Sequence, residues 1–121
     1  MTKQIRLGIL GENLAAEYLR KKGYGMVERN CRKKWGELDV VAISPDKKLV
    51  FVEVKTVSGI DPKITGEDQM TASKIKKFKR AAKIYADGCG QLLAGERGWQ
   101  LDLITVELSK NTARVRHYQN I

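Results

Sequence analysis

The chain has 121 residues, of which 42% are hydrophobic and 31% charged, and we expect residues 1–121 to form a single globular domain. Its formal net charge of +9 favours a polyanionic partner, with nucleic acid ahead of an anionic membrane or an acidic protein. We expect a cytoplasmic protein without a membrane partner, because the sequence has no signal-peptide pattern and no apolar run of about 18 residues. Two distant cysteines and a single histidine exclude a zinc finger.

The first predicted element is a helix over residues 4–22, followed by Gly23, a residue typical of helix ends. Its apolar stripe recurs every three or four residues and comprises Leu7, Leu10, Leu14 and Tyr18, extended by Gly11, Ala15 and Leu19. Residues 24–33 are predicted to form a strand.

Two further strands, residues 35–43 and 49–56, are predicted to form a hairpin around a turn at residues 44–48. Alternation places Glu37, Asp39, Val41 and Ile43 on one face of the first strand, and Leu38, Val40 and Ala42 on the other. In the second strand it groups Leu49, Phe51, Glu53 and Lys55, opposite Val50, Val52 and Val54.

The second half of the chain begins with a predicted irregular loop over residues 58–70. Thr71 is the expected N-cap of a helix that runs to about Ala86 and ends at two glycines. A loop over residues 91–98 and two strands joined at residues 109–112 complete the chain. This order of elements predicts an α/β or α+β sheet with helices packed against it.

The two predicted strands of the hairpin are almost entirely apolar apart from a few charged residues, notably Asp39, Glu53 and Lys55. Burying even a neutral polar group without a partner costs roughly 2–7 kcal/mol, so such residues need a purpose. Two carboxylates suit Mg²⁺, which takes oxygen ligands, and a lysine two residues after one of them lies beside the metal-bound water. The alternative is an ion network on a solvated face, which the apolar neighbours disfavour.

Glu12 falls at the edge of the apolar stripe of the first helix, among Gly8, Ala15 and Ala16. It is a candidate third metal ligand, and a boundary glutamate paired with a lysine is an equally supported interpretation. Both interpretations stay open at the level of sequence.

Basic residues flank these acids along the sequence. Lys74 lies on the apolar side of the second helix, where it would either approach a phosphate or extend to the solvent at the rim. Contacts to phosphates position a nucleic acid without reading its bases. The candidate nucleic-acid-binding residues are Lys74, Lys76, Lys77, Arg32, Lys33 and Lys34, with Arg29, Lys79, Arg80 and Lys83 as further phosphate contacts. Asp102 is interpreted as structural, and His117 as non-catalytic.

Asp39 followed by Glu53-Val54-Lys55 resembles the PD-(D/E)xK nuclease superfamily. The chain is more closely similar to the YraN family, predicted nucleases related to archaeal Holliday-junction resolvases. The similarity covers residues 11–19, 35–42, 49–56, 71–85 and 101–106. Leu38 stands where the superfamily name has a proline, and the Gln-x-x-x-Tyr helix motif of some relatives is absent.

The resemblance implies a restriction-endonuclease-like αβββαβ core with a mixed central sheet flanked by helices. It implies that Asp39 and Glu53, joined by Glu12, bind Mg²⁺ or Mn²⁺, that Lys55 acts at the attacking water, and that the protein forms a homodimer. The leading hypothesis is a metal-dependent endonuclease that hydrolyses DNA, with branched or damaged DNA as candidate substrates. The alternatives are a non-catalytic nucleic-acid-binding module on a nuclease fold and an adaptor for an acidic protein.

Overall fold

The computed structural model describes residues 1–58, 70–90 and 98–121, without the side chains of residues 89 and 90. The predicted loops over residues 58–70 and 91–98 lie almost wholly outside the described residues. The elements are helix α1 (Lys3–Lys21), strands β1 (Gly25–Lys33), β2 (Gly36–Ile43) and β3 (Leu49–Ser58), helix α2 (Ala72–Tyr85) with a π-helical turn (Ala86–Gly90), and strands β4 (Trp99–Leu108) and β5 (Ala113–Tyr118).

The five strands form one sheet in the order β1-β2-β3-β4-β5. All neighbouring pairs are antiparallel except β3 and β4, which run parallel over ten paired residues. A parallel pair needs a crossover connection, and the chain between β3 and β4 contains α2. The predicted mixed sheet flanked by helices is therefore confirmed.

Helix α1 covers one face of the sheet through small residues. Its buried residues are Gly11, Ala15, Ala16 and Leu19. Ala15 and Leu19 pack against Val40, Ala42, Val50, Val52, Val54, Ile104 and Val106. The predicted stripe was wrong at Leu10, which is 45% exposed, because the helix approaches the sheet on the row of small side chains beside it.

Helix α2 covers the opposite face with its predicted apolar side, on which Phe78, Ala81, Ala82 and Tyr85 are buried. Phe51 of β3 lies between Tyr85 and Trp99, with edge-to-face ring centroids 5.6 and 5.7 Å apart. Thr71 is the N-cap as expected, since its hydroxyl accepts the Lys74 backbone N–H at 3.3 Å.

Gly11 is where α1 comes closest to β3. A Cβ atom added there would collide with the Thr56 hydroxyl and lie 2.9 Å from Thr56 Cβ, whereas Gly8 has no atom within 4 Å of the same position. We expect Gly11→Ala to lower the free energy of unfolding by about 1–3 kcal/mol, because the helix must shift. The matched Gly8→Ala should raise it by about 0.5–1 kcal/mol. Urea denaturation measures both, and equal effects would contradict this contact.

Candidate active site

Strands β2 and β3 separate at the position of the two acids. Their pairing runs from Ile43–Leu49 to Val40–Val52 and stops before Asp39 and Glu53. Beyond that point Asp39 Oδ2 accepts the Val54 backbone N–H at 2.9 Å. The Asp39 carboxylate thus accepts a backbone N–H of β3, as a backbone carbonyl does in regular strand pairing. This hydrogen bond fixes Asp39 at the open end of the hairpin, where β2 and β3 separate.

Asp39 is mostly buried, and burial is the main reason that its pKa rises from about 3.8 to about 7. The negative charge of Glu53 raises the pKa further, and so does a side-chain hydrogen bond between the two carboxyl groups. The Val54 N–H and the Lys55 ammonium lower it. The carboxyl groups of Asp39 and Glu53 therefore lie so close together that Asp39 resists ionisation. A bound cation would offset the repulsion between their negative charges.

Lys55 lies beside Glu53, with its Nζ atom 3.0 Å from Glu53 Oε1. The two side chains are only 22% and 20% exposed, respectively. The exposed pair Lys21–Glu17 has the same 3.0 Å separation, with its side chains 75% and 58% exposed. The Lys55–Glu53 pair is less screened by water, so its attraction is the stronger of the two.

Strand alternation is interrupted beside Asp39, contrary to the predicted faces of β2. Leu38 packs in the cluster against α2 together with Val41, although the regular pattern places these two residues on opposite faces. On β1, Asn30 has a positive φ of 53° and lies between the pairs Arg29–Val40 and Cys31–Leu38, opposite Asp39. Both strands therefore lose their regular alternation at the same level of the sheet.

Glu12 lies near this irregularity, on the buried side of α1. Burial raises its pKa, and the charge of Asp39 raises it further, while Arg29, Arg32 and a hydrogen bond from Asn30 lower it. With the Asn30 amide nitrogen turned towards α1, it donates to Glu12 Oε1 at 2.9 Å and to Oε2 at 3.1 Å. Glu12 therefore has a partner other than the predicted lysine, and it lies near enough to Asp39 to feel the charge of that carboxylate.

Sequence comparisons identify the family to which the chain belongs. The model of the Uncharacterised protein family UPF0102 matches residues 11–106. The chain belongs to this family. A UPF0102 protein of Corynebacterium efficiens is 36% identical over 92% of this chain and 85% of its own length. One from Syntrophomonas wolfei is 36% identical over 94% of this chain and 95% of its own length.

The UPF0102 match confirms the predicted YraN family. The matched range contains Glu12, Asp39, Glu53 and Lys55. Among solved structures, the SPO1766 protein of unknown function from Silicibacter pomeroyi aligns with a TM-score of 0.34 and 15% identity, over 86% of this chain and 65% of that one. No described helix of this UPF0102 chain is long and apolar enough to cross a membrane.

The acids of this UPF0102 chain suit a hard cation in their chemistry, since Asp39 and Glu53 offer carboxylate oxygens whose mutual repulsion a divalent ion would offset. Over residues 1–58, 70–90 and 98–121, no three acids, histidines or cysteines are already grouped as a metal cluster. The fit thus rests on the Asp39–Glu53 pair, with Glu12 as a further acid that would have to approach.

The predicted nucleic-acid-binding residues are all on the surface: Lys74, Lys76, Lys77, Arg32, Lys33 and Lys34 are exposed. Arg32 is also near enough to Glu12 to lower its pKa, which links the basic end of β1 to the acids. Trp35 packs against the core cluster on the α2 side, and Glu37 is exposed opposite Arg32.

Sequence reasoning missed the role of His117. Its Nε2 atom lies 2.7 Å from Asp102 Oδ2, and its Nδ1 atom lies 3.3 Å from the Tyr18 hydroxyl. Asp102 is completely buried and also accepts from Gln100 Nε2 and the Asn120 N–H. This network ties β5 to β4 and α1. A buried acid on β4 and the single histidine on the next strand were the available signal.

Proposed function

We propose that this protein is a metal-dependent endonuclease that hydrolyses phosphodiester bonds in DNA. The observation that carries the proposal is the open end of the β2–β3 hairpin, where Asp39 and Glu53 are close enough to raise the pKa of Asp39 and Lys55 pairs with Glu53. Perturbed acids beside a lysine are typical of functional sites. Branched or damaged DNA is the substrate class we put forward first.

Asp39 and Glu53 would hold Mg²⁺ or Mn²⁺. Such an ion would neutralise charge at the scissile phosphate and lower the pKa of a bound water. Asp39 is kept in place by the Val54 N–H, so its carboxylate needs no reorganisation to accept a cation. Lys55 pairs with Glu53 and can donate a hydrogen bond to the nucleophilic water or to a phosphate oxygen.

The charge of the chain supports a polyanionic substrate. The net charge is +9, and the basic side chains of α2 and of the β1 end are exposed and can contact phosphates. Such contacts bind any sequence, and their affinity falls with salt. A homodimer would bring two such sites to opposite strands of one DNA, and analytical ultracentrifugation would test it.

The test is cleavage of labelled duplex, nicked, flapped and four-way DNA with Mg²⁺, with Mn²⁺ and with EDTA. We expect metal-dependent products on at least one substrate, and their loss in Asp39→Asn and Glu53→Gln. Glu17→Gln, an exposed acid in an ion pair of the same length, is the matched control and should leave the rate unchanged. Products that persist in Asp39→Asn would reject the assigned site.

A second candidate function is a DNA-binding module without catalysis, favoured by the exposed basic side chains of α2. It predicts DNA affinity that falls steeply with salt, no cleavage with any metal, and no Mn²⁺ binding in calorimetry. Mn²⁺ binding that disappears in Asp39→Asn would favour the endonuclease instead.

A further inference from the structure

Two consecutive residues of β1 hold two consecutive residues of α1. Arg29 Nη2 donates to Asn13 Oδ1 at 2.7 Å, and the Asn30 amide donates to both oxygens of Glu12 at 2.9 and 3.1 Å. These bonds fix the rotation of α1 about its axis at the one turn that carries an acid of the site.

The backbone of Asn30 makes this pair of contacts possible. In a regular strand, consecutive side chains point to opposite faces, so only one of Arg29 and Asn30 would reach α1. Asn30 adopts the left-handed conformation, φ 53°, which asparagine tolerates better than most residues. The alternation changes phase there, since Cys31 packs in the cluster on the α2 side although Arg29 bonds to α1.

The geometry points to Asn30 as a positioning residue of the proposed metal site: its left-handed turn aims the amide at Glu12 and holds that carboxylate on the Asp39 side of α1, from which it would approach the bound cation. This inference rests on the proposed function. Residues that orient a metal ligand without touching the metal change affinity by about 10- to 100-fold when removed. Because Asn30 is exposed, we expect the lower end of that range.

Asn30→Gly removes the side-chain amide and keeps the left-handed backbone conformation, because glycine adopts a positive φ without strain. It therefore tests the role of the amide alone. We expect it to weaken Mn²⁺ binding about tenfold in calorimetry and to leave the melting temperature of the metal-free protein unchanged. Asn120→Gly is the matched control, because Asn120 has a φ of 55° and donates its backbone N–H, rather than its side-chain amide, to Asp102 within the described part of the chain. It should bind Mn²⁺ as the wild type does.

A double-mutant cycle with Glu12→Gln tests whether Asn30 acts through Glu12. If it does, Asn30→Gly weakens Mn²⁺ binding in the wild-type background and has no further effect when Glu12 is already replaced. Binding by Asn30→Gly within twofold of wild type, or an equal loss in both backgrounds, would overturn the assignment. If Asp39→Asn still abolishes binding, the proposed function survives that result. Absence of Mn²⁺ binding by the wild type would reject both.

Discussion

Replacing Lys55 by methionine is expected to slow metal-dependent DNA cleavage by about 10²- to 10³-fold, the usual cost of removing a catalytic hydrogen-bond donor or proton-transfer group. Methionine keeps most of the length and removes the ammonium, which lies 3.0 Å from Glu53 Oε1. Glu53 then lacks its cation, and the pKa of Asp39 rises further because the ammonium lowers it. The cleavage–pH profile should therefore shift towards higher pH.

The control for Lys55→Met is Lys21→Met, which removes an ammonium at the same 3.0 Å from a glutamate in an exposed pair. We expect this variant to cleave at the wild-type rate and to lose at most about 0.5 kcal/mol of stability, because exposed helical ion pairs contribute little. Single-turnover rates at several pH values measure both variants. Wild-type rates for Lys55→Met would remove Lys55 from the catalytic machinery.

Asp39→Asn is expected to make the metal-free protein more stable above neutral pH. The pKa of Asp39 is about 7 in the folded protein, whereas the ordinary value for an aspartate side chain is 3.8, so the folded state binds the proton more tightly than the unfolded chain does. The stability contributed by this group is complete below pH 3.8 and is lost as the pH rises through 7. The loss amounts to about 4 kcal/mol when fully developed, since one pKa unit corresponds to about 1.4 kcal/mol.

Asparagine has no charge to desolvate, and its oxygen can still accept the Val54 N–H. The difference in unfolding free energy between the variant and the wild type should therefore grow as the pH rises from 3.8 to about 7 and level off above that, in urea denaturation with EDTA. Glu37→Gln changes an exposed acid on the same strand and should show the same dependence of unfolding free energy on pH as the wild type.

Mn²⁺ should restore stability at about pH 8.5 in the wild type alone, because ligands stabilise the state that binds them. Parallel profiles for Asp39→Asn and wild type would contradict the buried, repelled carboxylate.

The fold could be predicted from the sequence because each element carries a local signal. Thr71 is the N-cap of α2 and Gly23 follows α1. The alternating run of β3 places Val50, Val52 and Val54 on one face as predicted, and the structure shows that α1 covers this face. The position of Glu12 at the edge of the buried stripe of α1 was predicted, although its partner Asn30 was not. These signals depend on periodicity and end residues, which act within a few residues of chain.

The irregularity beside the acids could not be predicted, because it depends on pairing between strands. A regular pattern groups Leu38 with Val40, whereas the structure groups it with Val41, and the left-handed Asn30 lies opposite that break. An asparagine inside a strand was the only local sign, and many asparagines in strands keep a negative φ. The Asp102–His117 bond likewise depends on the register between β4 and β5.

The exposed Leu10 shows a second limit of periodicity. The sequence indicates an apolar stripe but does not indicate which of two neighbouring rows meets the sheet. The row with Gly11, Ala15 and Ala16 meets it because these small side chains let the helix backbone approach β3 at Thr56. Close packing at that contact gives the facing atoms dispersion contacts that a gap would forfeit.

The most direct measurement is anomalous diffraction from crystals of the protein soaked in Mn²⁺. We expect one strong peak at the open end of the β2–β3 hairpin, within about 2.1 Å of carboxylate oxygens of both Asp39 and Glu53. We also expect this peak to be absent from crystals of the Asp39→Asn variant. A wild-type crystal with its manganese elsewhere, or with no ion at Asp39 and Glu53 at saturating Mn²⁺, would reject these two acids as the metal ligands.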